Sequence, residues 1–119
     1  MNETKIKTLL AGFPRARLMT CETPVERLER MSDLLGIDLW LKRDDLSGLG
    51  LGGNKVRQLE FYFGEALEQG ADTVLITGAV QSNYVRSAAA AAARLGLQSV
   101  LQLEERVPYM GEPYYSSGN

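Results

Sequence analysis

Residues 73–103 read TVLITGAVQSNYVRSAAAAAARLGLQSVLQL, and this stretch decides the fold. Thr73–Thr77 is a β-branched apolar run of the kind found in a strand buried on both faces. The turn Gly78–Asn83 leads into a helix predicted over Tyr84–Leu95, where the run Ala88–Ala93 allows very close approach of neighbouring elements. Gly96 closes that helix, and Ser99–Leu103 forms the next strand. Working towards the N-terminus, Lys55–Gln69 reads as a helix with an apolar face of Val56, Leu59, Phe63, Ala66 and Leu67, stopped by Gly70. A short strand is expected near Asp38–Lys42. The order strand, helix, strand, helix, strand implies an α/β fold around a parallel sheet of three strands.

Further upstream, Thr23-Pro24-Val25-Glu26 has the form of a helix start, with Thr23 as N-cap, Pro24 at the first position and Glu26 closing a capping box. The helix would run to Leu35 and end at Gly36, burying Val25, Leu28, Met31 and Leu35. Residues 104–119 carry little periodicity; Tyr109, Tyr114 and Tyr115 there could line an entrance or an interface. Two parts follow from this reading: 1–53, with the capped helix, a strand and a glycine-rich loop, and 54–119, an α/β core that breaks off at Ser-Gly-Asn.

The composition excludes several functions. The chain has 119 residues, 45% hydrophobic and 24% charged, with a formal charge of -2. Basic and acidic residues are interspersed, so nucleic acid is not an expected partner. There is no His and one Cys, which removes the usual zinc ligand sets and any Ser-His-Asp triad. Cys21 has no internal disulfide partner, so a reducing cytoplasm is the expected location. Thr8–Phe13 is too short for a signal-peptide core, and no run is long enough to span a membrane. Asp44-Asp45 reads as solvated or capping carboxylates, and Glu104-Glu105 as the end of a strand.

Chemistry concentrates in two turns. Open parallel sheets bind ligands where βα turns and helix N-termini gather. The first turn is Leu49–Arg57, LGLGGNKVR, where glycines run into Asn54-Lys55 at a helix start. Schiff-base chemistry needs a free amine, and a positive helix end favours that form. Read alone, Gly-Gly-Asn-Lys is also an ordinary way to begin a helix. The second turn is Gly78–Asn83, where Ser82 and Asn83 can cap a helix whose N–H groups would hold an anionic oxygen. Gly48–Gly53 does satisfy G-x-G-x-x-G. Arg43–Ser47, however, separates strand from glycines, and no acidic residue ends the next strand, so a dinucleotide site is disfavoured. Val56 after Lys55 rules against a phosphate loop of the Walker type.

Taken together, LWLKRDDLSGLGLGGNKVRQLEF, GADTVLITGAVQSNYVRSAAAAAARLGL and LEERV resemble the pyridoxal-phosphate enzymes that include D-cysteine desulfhydrase, L-cysteate sulfo-lyase and 1-aminocyclopropane-1-carboxylate deaminase. Phe13–Arg15, Thr23–Leu28 and Ser117–Asn119 extend the likeness. It implies the parallel-sheet fold of the tryptophan synthase β-like (fold type II) enzymes, of which this chain would be the N-terminal segment and much of the smaller domain.

By that resemblance Lys55 carries pyridoxal 5'-phosphate covalently and exchanges a proton with the substrate carbon. Asn83 hydrogen-bonds the phenolic oxygen of the cofactor ring. Ser82 contacts the substrate carboxylate and takes a catalytic part beside Lys55, and Asn54 and Gln81 shape the same pocket. Tyr84 stands where relatives often carry His or Gln, beside the expected place of the substrate carboxylate. The implied reaction is α,β-elimination from a small β-substituted amino acid, releasing sulfide from D-cysteine or sulfite from L-cysteate. The alternatives are ring opening by a deaminase and a non-catalytic fragment. The family's phosphate-binding loop, pyridine-nitrogen partner and catalytic tyrosine would lie beyond Asn119, so the chain alone is expected to be inactive. Homodimerisation is a further expectation for the full-length protein.

Overall fold

The structure is a computed structural model that describes residues 2–105. Helix α1 (Glu3–Leu10) begins at Asn2, whose side chain accepts from the Lys5 N–H at 3.0 Å. Next come β1 (Val25–Arg27), α2 (Glu29–Leu35) and β2 (Trp40–Lys42), then a single 3₁₀ turn at Asp44–Leu46. The remainder is α3 (Lys55–Glu68), β3 (Thr73–Ala79), α4 (Asn83–Leu95) and β4 (Gln98–Glu104). β3 and β4 are parallel, in a register from Thr73↔Gln98 to Ala79↔Glu104. The α/β architecture with parallel strands therefore stands. Both strands are longer than the apolar runs alone suggested, because ladder pairing carries on through Gly78, Ala79 and Glu104. The three tyrosines at 109, 114 and 115 and the terminal Ser-Gly-Asn lie outside the described residues.

Three expectations are corrected. The helix expected from Thr23 starts instead at Glu29, and Val25–Arg27 is a strand paired antiparallel with β2, Glu26 opposite Leu41. Tertiary partners take the groups a capping box would use. The Pro24 carbonyl accepts from the Arg43 N–H at 3.0 Å, and the Thr23 hydroxyl donates to Asp44 Oδ1 at 2.8 Å. The Glu26 carboxylate is held by Arg43 Nη1 at 2.9 Å. Gly36 does end α2, in a left-handed conformation.

As a second correction, β2 does not join the parallel sheet. Its hydrogen bonds go to β1, which leaves β3 and β4 as the parallel pair among the described residues. The third concerns burial. Val74, Ile76 and Gly78 face the helices, and a Cβ on Gly78 would stand 2.6 Å from Val85 Cγ2. Leu75, on the opposite face beside Val100, is 67% exposed. β3 is thus covered on one face only.

The core forms where α3 and α4 meet: Val56, Leu59 and Phe63 from α3 pack with Val85, Ala88, Ala91 and Ala92 from α4, and Ile76 closes the layer. The small alanine side chains let the two helices approach closely, as the run predicted. Of the expected apolar stripe α3 buries Val56, Leu59 and Phe63 and leaves Leu67 exposed, and it also buries Glu60 and Gly64. Both serve the segment 14–19, which crosses this helix. The Ala16 N–H donates to the Glu60 carbonyl at 2.8 Å, and Arg94 Nη1 holds the Leu18 carbonyl at 3.0 Å.

A Cβ on Gly64 would run into the Pro14 carbonyl and the Arg15 nitrogen. Gly64→Ala should therefore lower the melting temperature, although alanine is intrinsically the better helix former by about 1 kcal/mol. A raised melting temperature would show that segment 14–19 does not lie on α3.

Candidate active site

The loop between the 3₁₀ turn and α3 folds back because four of its glycines and Leu51 take positive φ, from 54° at Gly50 to 118° at Gly53. At Gly52 the requirement is also steric, since a Cβ there would collide with the Asp45 carbonyl. The loop closes on itself: the Gly53 N–H donates to the Asp44 carbonyl at 2.9 Å, and the buried Ser47 hydroxyl donates to the Gly53 carbonyl at 3.3 Å. Asp44 then ties the loop to α3. Arg57 donates Nε to Asp44 Oδ2 at 2.9 Å and Nη2 to Oδ1 at 2.7 Å, while Nη2 also reaches the Thr23 hydroxyl at 2.6 Å. The Arg57 hydrogen bonds hold the Asp44 carboxyl down to about 2, with Thr23 assisting and partial burial opposing.

This frame delivers Lys55 as the first residue of α3, half-buried, with exposed Asn54 as the cap residue. The second turn arrives beside it. Ser82 is the N-cap of α4, its Oγ accepting from the Val85 N–H at 3.3 Å, and Asn83 begins the helix with its side chain exposed. A Cβ placed on Gly53 would stand 3.8 Å from Asn83 Nδ2. The glycine loop that carries Lys55 and the head of α4 are therefore neighbours. Gln81 lies exposed in the turn before the cap. Tyr84 turns elsewhere: it lines a small apolar groove of about 160 Å³ with Tyr62, Phe63, Ala66, Val74 and Ala88. Burial there, with Tyr62 close by, pushes its phenol up.

Two features of this frame escape sequence reasoning. Asp44 is not merely solvated, as the polar loop suggested; its partner Arg57 lies across the glycine loop, and no local spacing announces the pair. Arg86 donates Nε to the Gly50 carbonyl at 2.9 Å, tying α4 to the loop. A larger cleft of about 630 Å³ is lined in part by Arg15, Arg17, Lys42, Arg57 and Glu60, and by none of Lys55, Ser82 and Asn83. Its size does not make it the site, because most of its cations are already engaged: Arg15 with Glu60, Arg57 with Asp44, and Lys42 with the Thr23 carbonyl. The Lys55 amine and the head of α4 lie at the glycine loop instead. An amine, an amide, a hydroxyl and the first N–H groups of a helix can together receive a carbonyl compound bearing an anionic group.

Comparison with known proteins points the same way. Residues 17–114 match the family model described as pyridoxal-phosphate dependent enzyme. The chain is 52% identical over 110 residues to a D-cysteine desulfhydrase of Yersinia enterocolitica, covering 92% of this chain and 33% of that protein. A D-cysteine desulfhydrase of Serratia proteamaculans is 50% identical over the same shares. A solved structure described as an ACC deaminase homologue superposes with a TM-score of 0.80 at 50% identity, covering 87% of this chain and 31% of that one. The chain thus spans about a third of the length of these relatives.

Proposed function

Because the chain belongs to the family of pyridoxal-phosphate dependent enzymes, we propose that it is the lysine-bearing part of a lyase that removes the β-substituent of a small amino acid, with D-cysteine as the favoured substrate. The observation that carries this is the approach of the glycine loop to the head of α4, with Lys55 next to one and Asn83 on the other.

The residues present fit the aldehyde end of pyridoxal phosphate. Lys55 offers the amine, Asn83 an amide N–H for the ring oxygen, and the head of α4 its first N–H groups. When bound, the cofactor supplies the electron sink that makes a substrate α-proton acidic. The Lys55 amine, on a helix anchored through Arg57 and Asp44, is the group that takes that proton and can return it. Ser82, whose hydroxyl oxygen caps α4, still has its proton to donate to a substrate carboxylate. Asn54 and Gln81 would border the same space, whereas Tyr84 lies in the apolar groove beside Tyr62. Loss of sulfide from D-cysteine, followed by hydrolysis of the remaining enamine by one water, gives pyruvate and ammonia; L-cysteate would release sulfite in place of sulfide. The solved relative described as an ACC deaminase homologue favours a second reading, cyclopropane ring opening to 2-oxobutyrate. A non-catalytic remnant is the outcome if cofactor binds without turnover.

The finer fold assignment, to the tryptophan synthase β-like fold type II, is part of the same proposal. So are the division at 53/54, homodimerisation of the full-length protein and a cytoplasmic location. Among the described residues no helix is long and apolar enough to cross a membrane. The test is mass spectrometry of the protein incubated with pyridoxal phosphate, before and after borohydride reduction, with peptide mapping. A reduced phosphopyridoxyl group on the peptide containing Lys55 is expected, and an unmodified Lys55 overturns the assignment. Assays for sulfide, sulfite and 2-oxobutyrate on the relative-length protein then separate the three substrates.

A further inference from the structure

The contact between α4 and the glycine loop is built with more care than a passing loop needs. Gly50 sits directly on the helix at a φ of 54°, and a Cβ there would lie 3.0 Å from Ala90 Cβ and 3.5 Å from Ser87 Cα. Ser87 beneath it is fully buried, with its hydroxyl unpartnered. Close packing alone can slide. The loop's other hydrogen bonds at Gly52 and Gly53 run to Leu49, Asp44 and Ser47, all within the same loop, and none of these fixes it against α4. Arg86, within one turn of Asn83, does so through its 2.9 Å bond to the Gly50 carbonyl.

We propose that Arg86 is a positioning residue: its guanidinium locks the glycine loop to α4 and thereby sets where Lys55 stands relative to Asn83. The inference rests on the reading of Lys55 as the cofactor lysine. A planar guanidinium fixes the direction of its N–H donors, whereas an ammonium on a flexible stem does not, so lysine is a poor substitute here. Displacement of a reacting group by about 1 Å can cost about 100-fold in rate.

The test follows borohydride-trapped pyridoxal phosphate on the peptides containing Lys55 and Lys7, in the wild-type chain and in Arg86→Met and Arg86→Lys, with melting temperatures taken in parallel. Lys7, 75% exposed on α1, serves as the internal control. The proposal expects Lys55 capture at least about ten-fold slower in Arg86→Met and intermediate in Arg86→Lys, with Lys7 capture unchanged. Equal Lys55 rates in wild type and Arg86→Met overturn it and leave the cofactor assignment intact. If Arg86→Met has no melting transition, Arg86→Lys decides, and a wild-type rate in that variant overturns the proposal. Wild-type Lys55 captured no faster than Lys7 overturns the cofactor assignment itself, and the role of Arg86 falls with it.

Discussion

Lys55→Ala is expected to abolish covalent capture of pyridoxal phosphate at the glycine loop, with no reduced adduct on the corresponding peptide at any cofactor concentration. No neighbouring amine replaces it. Lys42 lies in the separate cleft with its Nζ committed to the Thr23 carbonyl, and Lys5 and Lys7 are on α1. In the relative-length protein, turnover should fall by at least about 1,000-fold, the scale at which a covalently acting group is removed from a working set.

The fold should not register the change. Lys55 begins α3, makes no ion pair among the described residues, and alanine is tolerated at a helix start, so stability should stay within about 0.5 kcal/mol. Lys55→Arg separates charge from chemistry, since it keeps the positive charge at the helix head but cannot capture an aldehyde reversibly. Both variants should lose the adduct while melting as wild type. Retention of a reduced adduct by Lys55→Ala, mapped to another residue of the loop region, would sink the assignment.

How much of this was legible in the sequence depends on the range of the interactions involved. Ser82 before Asn83, and Gly96 after Leu95, announce the ends of α4 by local chemistry; the C-terminal end falls where the sequence places it, and the first residue is Asn83, one position before the expected Tyr84. Lys55 at the head of α3 follows from the same kind of signal. Thr23-Pro24-Val25-Glu26 carries an equally good local signal, yet the structure takes each group elsewhere: Thr23 to Asp44, the Pro24 carbonyl and Glu26 to Arg43. Antiparallel pairing of β1 with β2 outweighs a cap that contributes about 1 kcal/mol. The three-strand sheet failed for a related reason, because order along the chain does not say which strand takes a neighbour's hydrogen bonds. The site was read as two turns; their juxtaposition at Gly53 and Asn83, and the Arg57–Asp44 and Arg86–Gly50 ties, depend on contacts no spacing encodes. The family resemblance brought Lys55 and Asn83 to one cofactor where periodicity could not, but it said nothing of the two arginine ties.

The least legible residue is Glu60, an acid on the buried side of α3, and its replacement should carry the largest stability effect. Its side chain is 2% exposed. Oε1 accepts from the Leu18 and Met19 N–H groups, each at 2.9 Å, and Oε2 is gripped by Arg15, whose Nε lies at 2.7 Å. Glu60→Ala strands the buried Leu18 N–H and the half-buried Met19 N–H and leaves a cavity, for an expected loss of about 3 kcal/mol. The Arg15 side chain is half exposed, so the ion pair itself contributes little of that. Glu60→Gln, which keeps one acceptor oxygen, should lose less than alanine.

The pH dependence follows from the same contacts. Burial pushes the Glu60 carboxyl up, but the Met19 N–H, Arg15 and the Leu18 N–H outweigh it and hold the group below its ordinary 4.5. A carboxyl lowered on folding contributes stability in full above its unfolded value, and that contribution is lost as pH falls through the folded one. Stability should therefore decline on acidification below about 4.5, and Asp44, lowered from 3.8 to about 2, should prolong the decline. Denaturant unfolding of wild type, Glu60→Ala and Glu60→Gln across that range separates the two acids. Both variants should lose the upper part of the slope and keep the lower part set by Asp44. A wild-type slope in Glu60→Ala would mean that segment 14–19 does not depend on this carboxylate, and that the folded core extends no further than α3, α4 and the parallel pair.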